Sequence, residues 1–404
     1  MKAPVYLRSL ICRVNVRLVL SALLIPLVQI FLVITMAQGQ TFTLLYTFTS
    51  GADGGDPIGG LIMDPQGNLY GTTAEGGNPA CPHGCGTVFK LDPAGHETVL
   101  YSFAGMDGEY PRASLLRDAQ GNLYGTTASG GAAGWGTVFK VDPSGTETVL
   151  YSFTGAGDGG SPGLGALIMD AQGNLYGTTQ AGGACCGTVF KVDVTGSESV
   201  LYSFTGTGGD GTLPTGGLVR DAAGNLYGTT EGGGQYGGPY GYGTVFKIDT
   251  TGKETVLHSF NLTDGYDPWA GLMFDAQGNL YGTTRGGSPG VAGGPGVVFK
   301  LSKKGSETVL HRFSRPHDGH GPTGGVVRDQ QGNVYGTTSY GGLWNCGTVF
   351  QVDKYGKEKL LYTFIGGSDG ASPYAGLVQD AQGNLYGTTT GVFGTGGTVF
   401  KITP

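Results

Sequence analysis

The 404 residues carry 23 basic against 30 acidic side chains, a formal charge of −7, which disfavours nucleic acid and anionic membrane surfaces as partners. Glycine supplies 81 residues, yet there is no Gly-X-Y period and 39% of the chain is hydrophobic, which excludes a fibrous or low-complexity polymer. Glycine is turn chemistry in a folded protein.

Residues 1–39 place Lys2, Arg8, Arg13 and Arg17 ahead of an apolar stretch from Leu18 to Met36. This is the layout of a secretory signal, with cleavage after Ala37 or Gly39. The stretch is long for a signal, although Pro26 and Gln29 interrupt it, so an uncleaved N-terminal anchor is the alternative and the one route to a membrane. No lipid-attachment cysteine follows. Losing these four basic residues moves the formal charge from −7 to −11. Residues 40–404 show neither a second composition nor a linker, so a single domain and a monomer are expected, secreted, periplasmic or at the cell surface.

A single unit then repeats. GNLYGTT, or its twin GNVYGTT, begins at Gly67, Gly121, Gly173, Gly224, Gly278, Gly332 and Gly383, with spacings of 51 to 54 residues. Such a period marks one supersecondary unit stacked on copies of itself. Each unit reads GLxxD, xxGN, LYGTT, a variable loop, GTVFKVD, a turn of the PxG kind and ETVLYSF. The short runs rich in Val, Leu, Tyr, Phe and Thr between Asp and Gly turns predict four antiparallel strands. TVFKV (Thr137 to Val141) and TVLYSF (Thr98 to Phe103) are nearly continuously apolar, as in sheets packed on both faces. The expected fold is all-β, a seven-bladed β-propeller of four-stranded blades. The last unit stops at GTVFKI (Gly397 to Ile402), whereas FTLLYTF (Phe42 to Phe48) matches the fourth-strand element. The N-terminal strand should therefore complete the last blade, close the ring and hide both sheet edges.

Seven copies in one chain separate scaffold from the rest. The Asp at 64, 118, 170, 221, 275, 329 and 380 should accept backbone N–H bonds in its turn, with Gly at positive φ. DGxxP recurs at Asp53, Asp107, Asp158, Asp210, Asp264, Asp318 and Asp369; Pro suits the entrance to an inner strand and Asp caps the crossing turn. A cation-collecting ring of these carboxylates is the sharper alternative, but one Asp per blade is too few ligands for calcium. No cofactor and no metal are expected.

Cys85, Cys186 and Cys346 share one register, two or more blades apart, beyond the roughly 4.4 to 6.8 Å between bridged Cα atoms. Pairing must be local. Cys81 with Cys85, in the loop CPHGC, is the natural disulfide of an exported protein; a metal reading with His83 lacks a fourth ligand. Cys185 and Cys186 form a candidate vicinal pair, with Cys346 outside both. His258 and His311 replace the fourth-strand Tyr as packing variants.

The non-repeating aromatics fall in loops on one face: Trp135, Trp269 and Trp344, with Tyr240 and Tyr266 among seven tyrosines. Such side chains on a rigid scaffold suit stacking on sugars or anchoring a peptide, although pinning Gly-rich loops is the plainer role. On the opposite face Arg117, Arg220 and Arg328 precede the turn Asp and are expected to pair with neighbouring carboxylates. His317, Asp318 and His320 in PHDGHGP, with Arg285, are the catalytic candidates.

The set GNLYGTT, GTVFKVD, ETVLYSF and DGxxP, over about 41 to 404, resembles the GloVer-type tandem repeats of "choice-of-anchor" exported bacterial proteins. That resemblance implies exported placement and assigns no activity or catalytic residues. The chain departs from the anchored pattern in ending at Pro404 without a sorting tail, which leaves anchoring to the leader. No nucleophile elbow, phosphate loop or paired catalytic carboxylate is present. The reading favoured is an exported binding or scaffold propeller that offers its aromatic, Gly-rich loop face to a glycan or peptide. The alternative is a propeller lyase or glycan-active hydrolase with its site at the channel mouth.

Overall fold

The computed structural model describes residues 40–238, 240–287, 294–314, 317–391 and 396–404; the leader lies outside them. Among these residues no helix is long and apolar enough to cross a membrane, and the regular structure is antiparallel strand.

Blade 1 is Ile62–Met63, Leu69–Thr73, Thr87–Leu91 and Glu97–Ser102, hydrogen-bonded in chain order. The same order recurs through blade 6, and the seventh sheet sets Val378–Gln379, Leu385–Thr389 and Thr398–Thr403 beside Thr41–Thr47. Thr41 lies opposite Thr403 and Thr47 opposite Thr398. The protein is thus a seven-bladed β-propeller whose N-terminal strand closes the ring. Closure is also made at the inner wall, where Thr388 Oγ1 donates to the Gly59 carbonyl at 3.3 Å.

Two details depart from the sequence expectation. The innermost strand has only two laddered residues per blade. The chain before it runs along the channel and is tied to the preceding blade by threonine hydroxyls, as Thr229 Oγ1 is to the Ala270 carbonyl at 2.9 Å. The outer run TVLYSF is half-exposed, with Val149 37% and Val200 36% accessible, because no further strand covers the rim. The third strand is packed on both faces as expected.

Blades are held together by phenylalanine. The last Phe of each outer run meets the Phe of the next blade's third strand edge to face, from Phe48–Phe89 at 5.0 Å round to Phe364–Phe400 at 5.2 Å. Pairs of this geometry add about 0.5–1.5 kcal/mol beyond their buried area. This ring explains the Gly in LYGTT: a Cβ at Gly228 would lie 2.6 Å from Phe246 Cζ.

GNLY is explained just as locally. Asp170 accepts from Gln172 N, Asn174 N, Asn174 Nδ2 and the Tyr176 hydroxyl at 2.8 to 3.0 Å. Burial alone would raise this carboxyl, but the combined bonds hold it below its ordinary value.

Candidate functional site

The invariant carboxylate of DGxxP turns toward the blade rim. Asp53 accepts from Thr49 N at 2.9 Å and from the Tyr46 hydroxyl at 3.1 Å. Where His replaces that tyrosine, His258 Nε2 lies 3.3 Å from Asp264 and His311 Nε2 lies 3.4 Å from Asp318. These groups build the crossing and leave the channel to their neighbours.

The residue before the proline is left-handed in every blade: Asp56, Tyr110, Ser161, Leu213, Asp267, Gly321 and Ser372, with φ between 51 and 66°. Pro follows it and fixes the chain's entry into the inner strand. Its carbonyl accepts from the residue after LYGTT, as Asp56 does from Ala74 N at 3.0 Å and Asp267 from Arg285 N at 2.9 Å. Holding a non-glycine residue there costs roughly 1–2 kcal/mol. The residue after the proline then faces the central channel, where Ile58, Arg112, Trp269, Thr323 and Tyr374 line a cavity of about 270 Å³. Below them its wall is mostly Gly and Ala, with Ser114 and, further along, Leu61, Leu218, Leu272, Val326 and Leu377; a Cβ at Gly165 would lie 2.4 Å from Gly217 Cα, so only glycine lets these neighbouring inner strands approach that tightly.

Of these three positions per blade the residue after the proline lines the cavity and the other two stand next to it along the chain, and the polar ones interact. Arg285 stacks over the Trp269 ring at 4.6 Å. Burial and the Glu75 charge push Asp56 up to about 6, against the pull of Arg112. Burial also raises Asp267, opposed by Arg285. Burial, then Asp267, raise Glu231, which the Trp269 indole and Arg285 oppose. The indole N–H is near enough to favour the charged Glu231 but outside hydrogen-bond geometry. Tyr374 is raised by burial and by its bond to the Tyr340 hydroxyl at 2.9 Å. Arg112 Nε, Thr215 Oγ1 and Trp269 Nε1, one atom from the same position of three blades, are buried without a hydrogen-bond partner. Thr215 is only 1% exposed. Orphaned polar atoms are costly unless something else satisfies them.

Of the residues singled out from sequence, Trp269 and Arg285 are brought together here. The Tyr266 ring lies over Gly286 and 6.0 Å from Tyr242. Trp135, Trp344 and Tyr240 stand 44%, 55% and 85% exposed in loops of blades 2, 6 and 4 and do not line the cavity. Trp135 also packs across Gly155 and Gly160 of the next crossing. The histidine trio is dispersed. Asp318 receives Ser314 N and His311, His317 faces solvent, and His320 stacks on Tyr340 with Nε2 3.3 Å from Asn345 Oδ1. Asp56, Arg112, Glu231 and Asp267 were not anticipated; the signal was the variable column on either side of the invariant proline.

Cys81 and Cys85 are joined with Cα atoms 5.2 Å apart, and Cys185 is joined to Cys186. Cys346 is buried with Sγ 3.3 Å from the Trp344 carbonyl. Arg117 and Arg328 lie over Tyr70 and Tyr281 of the preceding blade at 5.7 and 5.5 Å; among the described residues the ion pairs are all made by histidine, so pairing of these arginines with carboxylates is replaced by stacking.

Fold and mouth together define a closed seven-bladed repeat propeller with a polar site at one end of its channel. The chain belongs to the family described as the Gloeobacter/Verrucomicrobia repeat, which matches residues 31–238 and 234–404. No curated protein matches it by sequence. Among solved structures it is similar to the extracellular domain of a putative hybrid two component system from B. thetaiotaomicron, with TM-score 0.58, 14% identity and 90% of this chain covered. The extracellular domain of a putative one component system from the same organism gives TM-score 0.58, 16% identity and 90% coverage. The GH74 enzyme of Niastella koreensis gives 0.57, 18% and 89%. The chain spans 41%, 42% and 53% of those three chains, and at such identities the likeness is one of fold.

Proposed function

We propose that this is an exported propeller that binds a glycan or peptide on the face carrying the channel mouth. The observation that carries the reading is the cluster of Trp269, Arg285, Asp267, Glu231, Asp56 and Arg112, of which Trp269 and Arg112 line the cavity and the others interact electrostatically beside it; apart from Asp before the proline in blades 1 and 5, none of them recurs at its place in another blade. A rigid scaffold with variable polar and aromatic side chains at one end is how binding surfaces are built on repeats. Exposed Trp135, Trp344 and Tyr240 widen the same face. Glycan-array and peptide-library binding tests it, with wild type beside Trp269→Ala, Trp135→Ala and Trp344→Ala; binding unchanged in all three would overturn the reading.

A second reading, a glycan-active enzyme, is favoured by one observation: Asp56 is pushed up to about 6, suited to a proton donor. It predicts reducing-end release from a bound oligosaccharide, lost in Asp56→Asn.

A further inference from the structure

Away from the channel, the loop face carries a second reactive feature, whose chemistry does not depend on what the mouth binds. Cys185 and Cys186 are bonded to each other just before the third strand of blade 3, Thr188–Val192. In the chain-entropy account a disulfide stabilises by closing a loop of the unfolded chain, more so for longer loops. Neighbouring residues enclose no loop, so this bond contributes little as a staple. Exposure also sets it apart. Cys81 and Cys85 are bonded to each other at 6% and 0% accessibility, whereas Cys185 is exposed and Cys186 only partly buried. A disulfide open to solvent is the kind that exchanges with thiols.

The pair sits where a crossing is hung. Phe204 N donates to the Gly187 carbonyl at 3.0 Å and Leu213 N to the Cys186 carbonyl at 2.9 Å, so both ends of the crossing from blade 3 to blade 4 hang on Cys186 and the glycine after it. Leu213 is the left-handed residue before Pro214. Cys185 Sγ also lies 3.4 Å from the Thr205 carbonyl and 3.7 Å from that of Phe204. Bonding adjacent side chains holds the peptide between them to few conformations, and reduction returns that freedom. The Cys185 S–H then has the two carbonyls as acceptors, so the loop accommodates both states. We infer that Cys185–Cys186 is a thiol–disulfide exchange site for small thiols, attacked at Cys185, and that its reduction loosens the crossing over residues 204–213. A thiolate attacks Cys185 Sγ; the Cys185–Cys186 bond breaks, a mixed disulfide forms on Cys185, and Cys186 leaves as a thiolate that takes a proton from water. A second thiolate then attacks the sulfur of the bound thiol and releases Cys185, so that two small thiols are oxidised to their disulfide and the protein pair is reduced.

The test uses the full folded chain with dithiothreitol and glutathione as probes. After graded dithiothreitol and an iodoacetamide quench, peptide mass spectrometry should find Cys185 and Cys186 alkylated at a reductant concentration about tenfold or more below that needed for Cys81 and Cys85. Reduction of both pairs together, or of Cys81–Cys85 first, would overturn the site. Cys186→Ser exposed to oxidised glutathione should carry glutathione on Cys185, and Cys185→Ser should carry far less on Cys186; the reverse order would overturn Cys185 as the sulfur attacked. Hydrogen exchange reads the coupling. Amides of residues 204–213 should exchange about tenfold or more faster once the pair is reduced, while residues 153–161, the equivalent crossing hung on Trp135 and Gly136, stay unchanged. The double variant Cys185→Ala with Cys186→Ala should exchange like the reduced wild type and ignore dithiothreitol. Exchange at 204–213 that is unaltered by reduction, or that still responds to dithiothreitol in the double variant, would overturn the coupling.

Discussion

Phe42 stacks on Tyr362 with ring centroids 4.2 Å apart and planes 13° from parallel. By register Phe42 holds the place that Glu97 holds in blade 1, since it lies opposite Ile402 as Glu97 lies opposite Leu91. The junction that closes the ring is therefore apolar where the others bring a glutamate beside the tyrosine or histidine and aspartate of the preceding crossing. At those others, Glu97, Glu147, Glu198, Glu254, Glu307 and Glu358 are all pushed up to about 7, first by burial.

These glutamates make stability depend on pH. Their ordinary value is 4.5, so between 4.5 and about 7 the folded protein keeps protons that the unfolded chain has released. Stability is then fully present below the ordinary value and is lost as pH rises through the folded one. Calorimetric melting between pH 4 and 8 should show the melting temperature highest close to 4.5 and falling toward 8. A melting temperature that is flat or rises over pH 5 to 8 would refute this origin.

A single replacement isolates the effect. Glu254→Gln removes the ionisation and keeps the shape, so it should raise the melting temperature at pH 8 and leave it unchanged or slightly lower at pH 4.5. The carboxyl is only half-buried, and water screens part of the gain, so a rise of about half a degree is expected, roughly a few tenths of a kcal/mol. Equal shifts at both pH values would point to packing instead.

Ring closure depends on Phe48, which is 1% exposed and meets Phe89 edge to face. Phe48→Ala should cost about 3–5 kcal/mol in urea unfolding. Deleting residues 41–48 should cost more and bare the edge of Thr398–Thr403, giving oligomers by light scattering. A deletion that melts like the wild type and stays monomeric would show that the closing strand is dispensable.

How much of this was legible follows from repetition. Asp170, Asn174 and Tyr176 serve one another within a turn, so seven copies of the same letters disclosed the fold. Glu254 also repeats, but its neighbour Asp210 belongs to the preceding crossing, and a contact between blades leaves no local spacing to read. The mouth was hidden for the opposite reason. Asp56, Arg112, Glu231 and Asp267 occur once each at their columns or in only two blades, so they look like loop noise until the ring sets them side by side.

Packing at the inner sheet predicts the cost of a methyl group. Gly228→Ala would place Cβ 2.6 Å from Phe246 Cζ, and Phe246 is fully buried. Overpacking of this kind costs about 1–3 kcal/mol. Gly228→Ala combined with Phe246→Leu should recover part of the loss in urea unfolding. If the pair is simply additive, the ring is not what excludes the methyl.

The hairpin aspartate gives the complementary test at low pH. Asp170→Ala removes four bonds at once, and because the residue is only 9% exposed the abandoned donors are poorly hydrated. The expected loss is about 2–3 kcal/mol at pH 7, against about 1 for Tyr176→Phe, which leaves the other three bonds intact. The sign of the pH effect is opposite to that of the glutamates. The Asp170 carboxyl is held below its ordinary value of 3.8, so its stabilisation is present above that value and is lost as pH falls through the folded one. Asp170→Ala should therefore lie furthest below wild type at neutral pH and approach it in strong acid. A gap that stays constant from pH 7 to pH 2 would mean that Asp170 acts through turn geometry alone, without its charge.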